Sequence, residues 1–137
     1  MNARPLLTFL AFAAACSHAP PASVGPDVCA QDVARLCPDG SRLEWATLVG
    51  GAREEMPWDL RVDAEGRAYV TGHTDSADFP TTWGAYSATM SGARDAFALR
   101  LSADGSSLEW STYIGGDGTE QGMAILPMAD GSAYVAG

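Results

Sequence analysis

The chain has 137 residues, 47% of them hydrophobic, so it is not an acidic disordered tail, and its length suits one small domain at most. Only 18% of residues are charged, and 17 acidic against 8 basic side chains leave a formal net charge of -9. That balance excludes a nucleic-acid backbone as partner, which demands clustered Lys and Arg. No run of 18 apolar residues is present to span a bilayer as a helix.

Residues 1–15 read as an export signal. Arg4 and the free amine supply a positive start, and Leu6 to Ala15 form an apolar stretch too short to cross a membrane. The run Ala13-Ala14-Ala15-Cys16 is similar to a bacterial lipobox, with Ala13 where that pattern has Leu. The similarity implies lipid on Cys16 and a membrane anchor. It also implies an exported protein at the outer membrane or cell surface, since Ser17 stands where an Asp would retain a lipoprotein at the inner membrane. Ordinary signal-peptidase cleavage near Ala15 or Ala19, giving a secreted protein, is the alternative.

Three cysteines in an exported chain leave one unpaired. With Cys16 carrying lipid, Cys29 and Cys37 remain as a disulfide pair, in a segment (CAQDVARLC) expected to form a short helix. A metal is the rival reading, but two cysteines without a nearby His are a poor ligand set. The Pro- and Ala-rich SHAPPASVGPDV between Cys16 and Cys29 reads as an extended tether. Residues 16–38 are therefore taken as anchor, tether and disulfide segment.

From Asp39 to the end the chain repeats itself. DGSRLEWATLVGG (39–51) returns as DGSSLEWSTYIGG (104–116), and GRAYVTG (66–72) returns as GSAYVAG (131–137). Both pairs are offset by 65 residues, and a shared offset at two separate segments marks a repeat architecture. Gly40, Gly66, Gly105 and Gly131 each follow Asp or Glu and precede a strand-like run, as hairpin turns do. Within one period, apolar residues alternate with polar ones. Trp58, Leu60 and Val62 share one face, as do Ala68, Val70 and Gly72, then Phe97, Leu99 and Leu101, then Leu108, Trp110, Thr112 and Ile114. This predicts half-buried antiparallel strands near 57–64, 67–73, 95–102 and 108–114, the four strands of a propeller blade. Pro127 falls at the place of Val62, in the first strand, which is an edge in a propeller and tolerates proline.

These segments resemble the bacterial SBBP family of β-propeller repeats. Tyr69 to Gly72, Asp78 to Thr82 with Gly84 to Tyr86, Asp95 to Phe97, and Tyr113 to Gly116 match its pattern of a YVTG strand, a DFPTT-Gly-Ala-Tyr loop, a D-A-F strand and a YIGG strand. The resemblance covers 39–137 and implies an all-β, incomplete propeller. That propeller has one complete four-stranded antiparallel blade, one outer strand of a preceding blade and two strands of a third. It implies exported multi-blade proteins and no catalytic residues.

The long connection from His73 to Arg94 carries Phe79, Trp83 and Tyr86, a possible platform for a glycan or protein ligand. The plainer reading packs these aromatics between blades. Asp75 with Asp78, and Asp117 with Glu120, offer too few oxygens for calcium, so neither a metal nor a cofactor is expected. His73 stands without a second His, and Trp45 and Trp110 recur in phase as blade-core residues. The functional expectation is a non-catalytic binding or structural module at the bacterial cell envelope. The alternative is an exported propeller enzyme, such as a glycosidase or lyase, with its site in blades missing from this chain. Asp59 and Asp63, replaced by Ala124 and Met128 in the next copy, are the asymmetries such an enzyme would show. A closed propeller needs at least four blades, or about 260 residues at this period, so the chain reads as a piece of a longer protein. A short chain that completes the ring by oligomerising is the other option.

Overall fold

The computed structural model describes residues 31–137. The expected leader at 1–15, the expected lipidation position Cys16 and Cys29, expected to pair with Cys37, lie outside the described residues. Eight strands follow one another: β1 (Gln31–Leu36), β2 (Leu43–Val49), β3 (Glu55–Val62), β4 (Ala68–Thr74), β5 (Asp95–Leu101), β6 (Leu108–Ile114), β7 (Ala124–Pro127) and β8 (Ala133–Ala136). They form a two-stranded sheet β1-β2, a four-stranded sheet β3-β4-β5-β6 and a two-stranded sheet β7-β8, every named strand pair antiparallel. The fold is all-β, and the middle sheet is one complete blade.

The turns are where the spacing placed them. Gly40, Gly66, Gly105 and Gly131 all adopt positive φ, between 67° and 86°, which a Cβ would oppose. Each donates its N–H three residues back, to the carbonyls of Cys37, Asp63, Ser102 and Met128 respectively. Carboxylates at Asp39, Asp104 and Asp130 each accept the N–H and hydroxyl of the serine two residues on, fixing the turn. Hydroxyls from Ser102 and Ser106 hold the Asp104 carboxyl down at about 2.

Two features differ from the sequence expectations. The segment after Cys29, expected as a short helix, is strand β1, so the preceding blade contributes two strands and its sheet begins before Asp39. Its residues are in phase with β5: Arg35 and Leu36 stand 65 residues before Arg100 and Leu101, and both strands shift register at that same step. Cys37, which follows β1, is buried and disulfide-bonded. Secondly, β4 is buried along its whole length, not on one face. Sheet β1-β2 covers one face of the blade, where Val33, Trp45 and Val49 join Val70, Phe97, Leu99 and Tyr113 in one core. Hairpin β7-β8 covers the other, where Ile125 packs with Tyr69 and Ala98. A strand buried on both sides keeps no polar face. Each large apolar side chain fully buried here, such as Leu99 or Leu101, stabilises the fold by roughly 1.5–3 kcal/mol.

The first strand of the blade, β3, behaves in the opposite way. Trp58, Leu60 and Val62 do share one face, but that face is exposed, Leu60 at 44%. Its repeat mate Ile125 is only 2% exposed. The difference lies in the neighbour: among the described residues, sheet β1-β2 has only two strands and leaves the Trp58, Leu60 and Val62 face of β3 open. Pro127 sits in β7, which among the described residues pairs only with β8, so it lies on a strand with an open edge.

Candidate functional site

Residues 75–94 join β4 to β5 without forming a strand of their own, yet they are closely held. Phe79 is 4% exposed, with its ring 4.7 Å from Phe97 and 5.9 Å from Tyr113, so it packs as a core residue. The Tyr113 hydroxyl donates to the Ser76 carbonyl at 2.7 Å, and burial pushes its phenol up to about 12. Further along, the loop runs beside the outer edge of β6. Thr82 donates its N–H to Ser111 O, Ser111 returns its N–H to Thr82 Oγ1, Ser87 donates to Thr112 Oγ1, and Tyr113 donates to Ser87 O. An open strand edge is thereby occupied by the chain's own loop. At the end of the loop, Asp95 accepts the N–H groups of Ser91 and Gly92.

Between these anchors lies a short tip, Trp83-Gly84-Ala85-Tyr86, turned by Gly84 at φ 81°. Trp83 is 102% exposed and Tyr86 85%. Of the three aromatics weighed as a possible platform and, in the plainer reading, as packing residues, the structure sends Phe79 into the core and leaves Trp83 and Tyr86 in solvent. Their backbone is fixed on both sides, so the rings are displayed on a pinned loop.

The first acidic pair, Asp75 with Asp78, is committed to other tasks. Asp75 takes both arms of the Arg94 guanidinium, at 2.6 and 2.9 Å, and this pairing holds its carboxyl below the usual range. Asp78 accepts the N–H of Ala52. Among the described residues no group of three or more His, Cys, Asp and Glu side chains is placed to hold a metal ion. Asp59 accepts the Ile125 N–H at 3.0 Å and pairs with Arg61. Asp63 pairs with Arg67 at 2.7 Å and accepts N–H groups within its own turn. Both asymmetric carboxylates are therefore engaged in holding strands and turns. His73 is buried, with Nδ1 accepting the Trp58 indole N–H at 3.1 Å.

Sequence reading missed Glu55. It is 2% exposed beneath the loop; Thr74 donates to Oε1 at 2.9 Å, while Oε2 has no partner. Burial raises its carboxyl above the ordinary value of 4.5. The available signal was its recurrence as Glu120 one period later, where Oε2 is again buried and unpartnered. Two grooves were also not foreseen. One, of about 250 Å³, lies between β3 and sheet β1-β2 and is lined by Val33, Val49, Trp58, Leu60 and Phe79 among others. The other, of about 870 Å³, lies beside hairpin β7-β8, between Ile114, Glu120, Met123 and Val135.

A family model described as "Beta-propeller repeat" (SBBP) matches residues 44–80, from β2 through β4 to the Phe79-Pro80 step. No curated protein and no solved structure matches the chain. Residues 44–80 are thus similar to the SBBP β-propeller repeat, and sheet β3-β4-β5-β6 has the four antiparallel strands of one blade.

Proposed function

We propose that this chain is an exported, non-catalytic binding module of the bacterial cell envelope, held to a membrane by lipid on Cys16. The ligand contact is the Trp83–Tyr86 loop tip, and the ligand class is a glycan. The carrying observation is the full exposure of the Trp83 indole on a loop whose backbone is pinned to β6 on both sides. The exposed indole offers a flat apolar surface, which suits the apolar face of a sugar ring. Pinning the loop in advance lowers the ordering cost of binding. The envelope location rests on the apolar leader and the Ala-Ala-Ala-Cys16 run.

Binding of the purified chain to a broad glycan array tests the reading. Trp83→Ala should lose the signal while the melting temperature stays unchanged, because the indole touches no core residue. Binding that survives this substitution defeats the proposal. For the anchor, incorporation of labelled fatty acid should vanish in Cys16→Ser; a variant that still labels excludes lipid at that residue.

A further inference from the structure

The loop that carries Trp83 and Tyr86 differs in charge from the rest of the chain. Residues 79–93 contain no Asp, Glu, Lys, Arg or His, although the formal net charge of the chain is -9. The charges that flank them are committed. Asp78 accepts the Ala52 N–H, and Arg94 is held by Asp75 and Glu54. The sequence has no lysine, so all 8 basic residues are arginines. Among the described residues, Arg35, Arg61, Arg67, Arg94 and Arg100 each pair with a carboxylate. Arg42 and Arg53 stand outside the loop, just ahead of β2 and β3. We infer that the ligand of the Trp83 tip is an uncharged glycan, bound by ring stacking and by neutral hydrogen bonds. This inference rests on the glycan contact proposed above and narrows it to one substrate class.

The tip supplies what such a ligand uses. Ala85 donates its N–H to the Thr82 carbonyl at 3.1 Å, and Gly84 takes φ 81°. This closes a turn over Trp83 and Gly84, with the positive φ at the second central residue, as a type II turn demands. The indole stands at the first central position, clear of the turn and fully exposed. Tyr86, just past the turn, adds a second exposed ring, and its phenol donates and accepts hydrogen bonds without carrying charge. The exposed Thr89 offers a hydroxyl of the same kind. Flat apolar rings beside uncharged polar groups match an unmodified sugar, which has C–H faces and a hydroxyl edge.

A carboxylated, sulfated or phosphorylated glycan fits this surface poorly. Its anionic groups bind well where an Arg fork or a Lys meets them, and they lose hydration without compensation where neither is present. Residues 79–93 offer neither, and the acidic field of the whole chain repels a polyanion at a distance. The indole can cover only one face of one sugar, so a free monosaccharide gains little from it. A polymer raises the local concentration of such faces beside the tip and is the better ligand.

Titration calorimetry of the full chain with two sets of polymers tests the inference. Hydroxyethyl cellulose, galactomannan and dextran are the uncharged probes, and polygalacturonate and heparin are the anionic ones. Binding is expected to at least one uncharged polymer and to neither polyanion. The apparent Kd should change by less than about twofold between about 0.05 and 0.5 M NaCl, a range over which exposed charge pairs become screened. Trp83→Ala should weaken it by about tenfold or more, through loss of the stacked ring, with an unchanged melting temperature. Binding to a polyanion that weakens as salt rises and is lost in Trp83→Ala overturns this inference, yet leaves Trp83 as a glycan contact. Binding that Trp83→Ala does not affect, or no binding to any polymer, overturns the glycan contact and this inference with it.

Discussion

The Arg100 guanidinium lies 5.8 Å from the centre of the Tyr69 ring, and both side chains reach the carbonyl of Gly131, at 2.9 and 3.4 Å. Tyr69 and Arg100 belong to the complete blade, whereas Gly131 belongs to the β7-β8 turn, so this trio holds one blade to the next. A charge-assisted bond to a half-buried carbonyl contributes about 2 kcal/mol. Arg100→Ala should lower the unfolding free energy by about that amount. Hydrogen exchange should show amides of β7 and β8 exchanging faster than those of β4 and β5. Equal acceleration across all strands would show that the trio does not serve the junction.

Glu55 is expected to make the fold less stable as pH rises. Its carboxyl is raised by burial, with Asp78 adding repulsion, and the hydrogen bond from Thr74 only partly offsets this. A raised folded-state value means the folded chain prefers the protonated acid. Stability is therefore complete below the unfolded value near 4.5 and declines as pH climbs through the folded one. Glu55→Gln keeps the shape and the acceptor for Thr74 without the buried charge. Urea midpoints should be equal for both proteins at pH 4 and higher for the variant at pH 7, by about 1 kcal/mol. A variant weaker at pH 7 would mean that the ionised carboxylate has a partner worth more than its burial costs.

The blade was legible because its signals are local and doubled. Each turn glycine needs positive φ whatever surrounds it, and each copy checks the other through the 65-residue offset. Burial was less legible, because alternation along a strand cannot say whether either face has a neighbour. Leu60 and Ile125 occupy the same repeat position, yet one faces an uncovered groove and the other a core. Strand β1 escaped notice because Val33 and Leu36 lie three residues apart, a spacing that also suits a helix, and the flanking cysteines drew attention to a bridge. Phe79, Trp83 and Tyr86 looked alike as loop aromatics. Only the packing of Phe97 and Tyr113 against Phe79 separates the core residue from the two exposed ones.

Gly105 is expected to tolerate no side chain. Its φ of 67° already disfavours one, and a Cβ there would lie 2.4 Å from Cε3 of the Trp45 indole. Its carbonyl also accepts the Thr47 hydroxyl, so the turn cannot easily move away. Gly105→Ala should cost about 2–3 kcal/mol, from positive-φ strain and displacement of a buried indole. The matched control is Gly40→Ala. That residue has the same φ but nothing near its Cβ position, so it should cost only about 1 kcal/mol. Equal losses at the two sites would remove Trp45 from the account.

His73 should oppose Glu55 in the pH profile. Burial lowers its basicity first and the Arg94 charge adds to this, while Asp75 and Glu54 pull the other way. The neutral ring is the form that fits, since Nδ1 accepts the Trp58 indole N–H and an imidazolium has no lone pair to offer. With the folded value depressed, the unfolded chain takes up the proton first. Stability is then present above the unfolded value of 6.5 and falls as pH drops below it. His73→Asn retains an acceptor near Nδ1 but cannot titrate. It should cost about 1 kcal/mol at pH 8, from lost packing, and remove the decline between pH 7 and 5. Thermal unfolding of both proteins at half-unit pH steps provides the comparison. A decline that persists in the variant would assign the effect to another group.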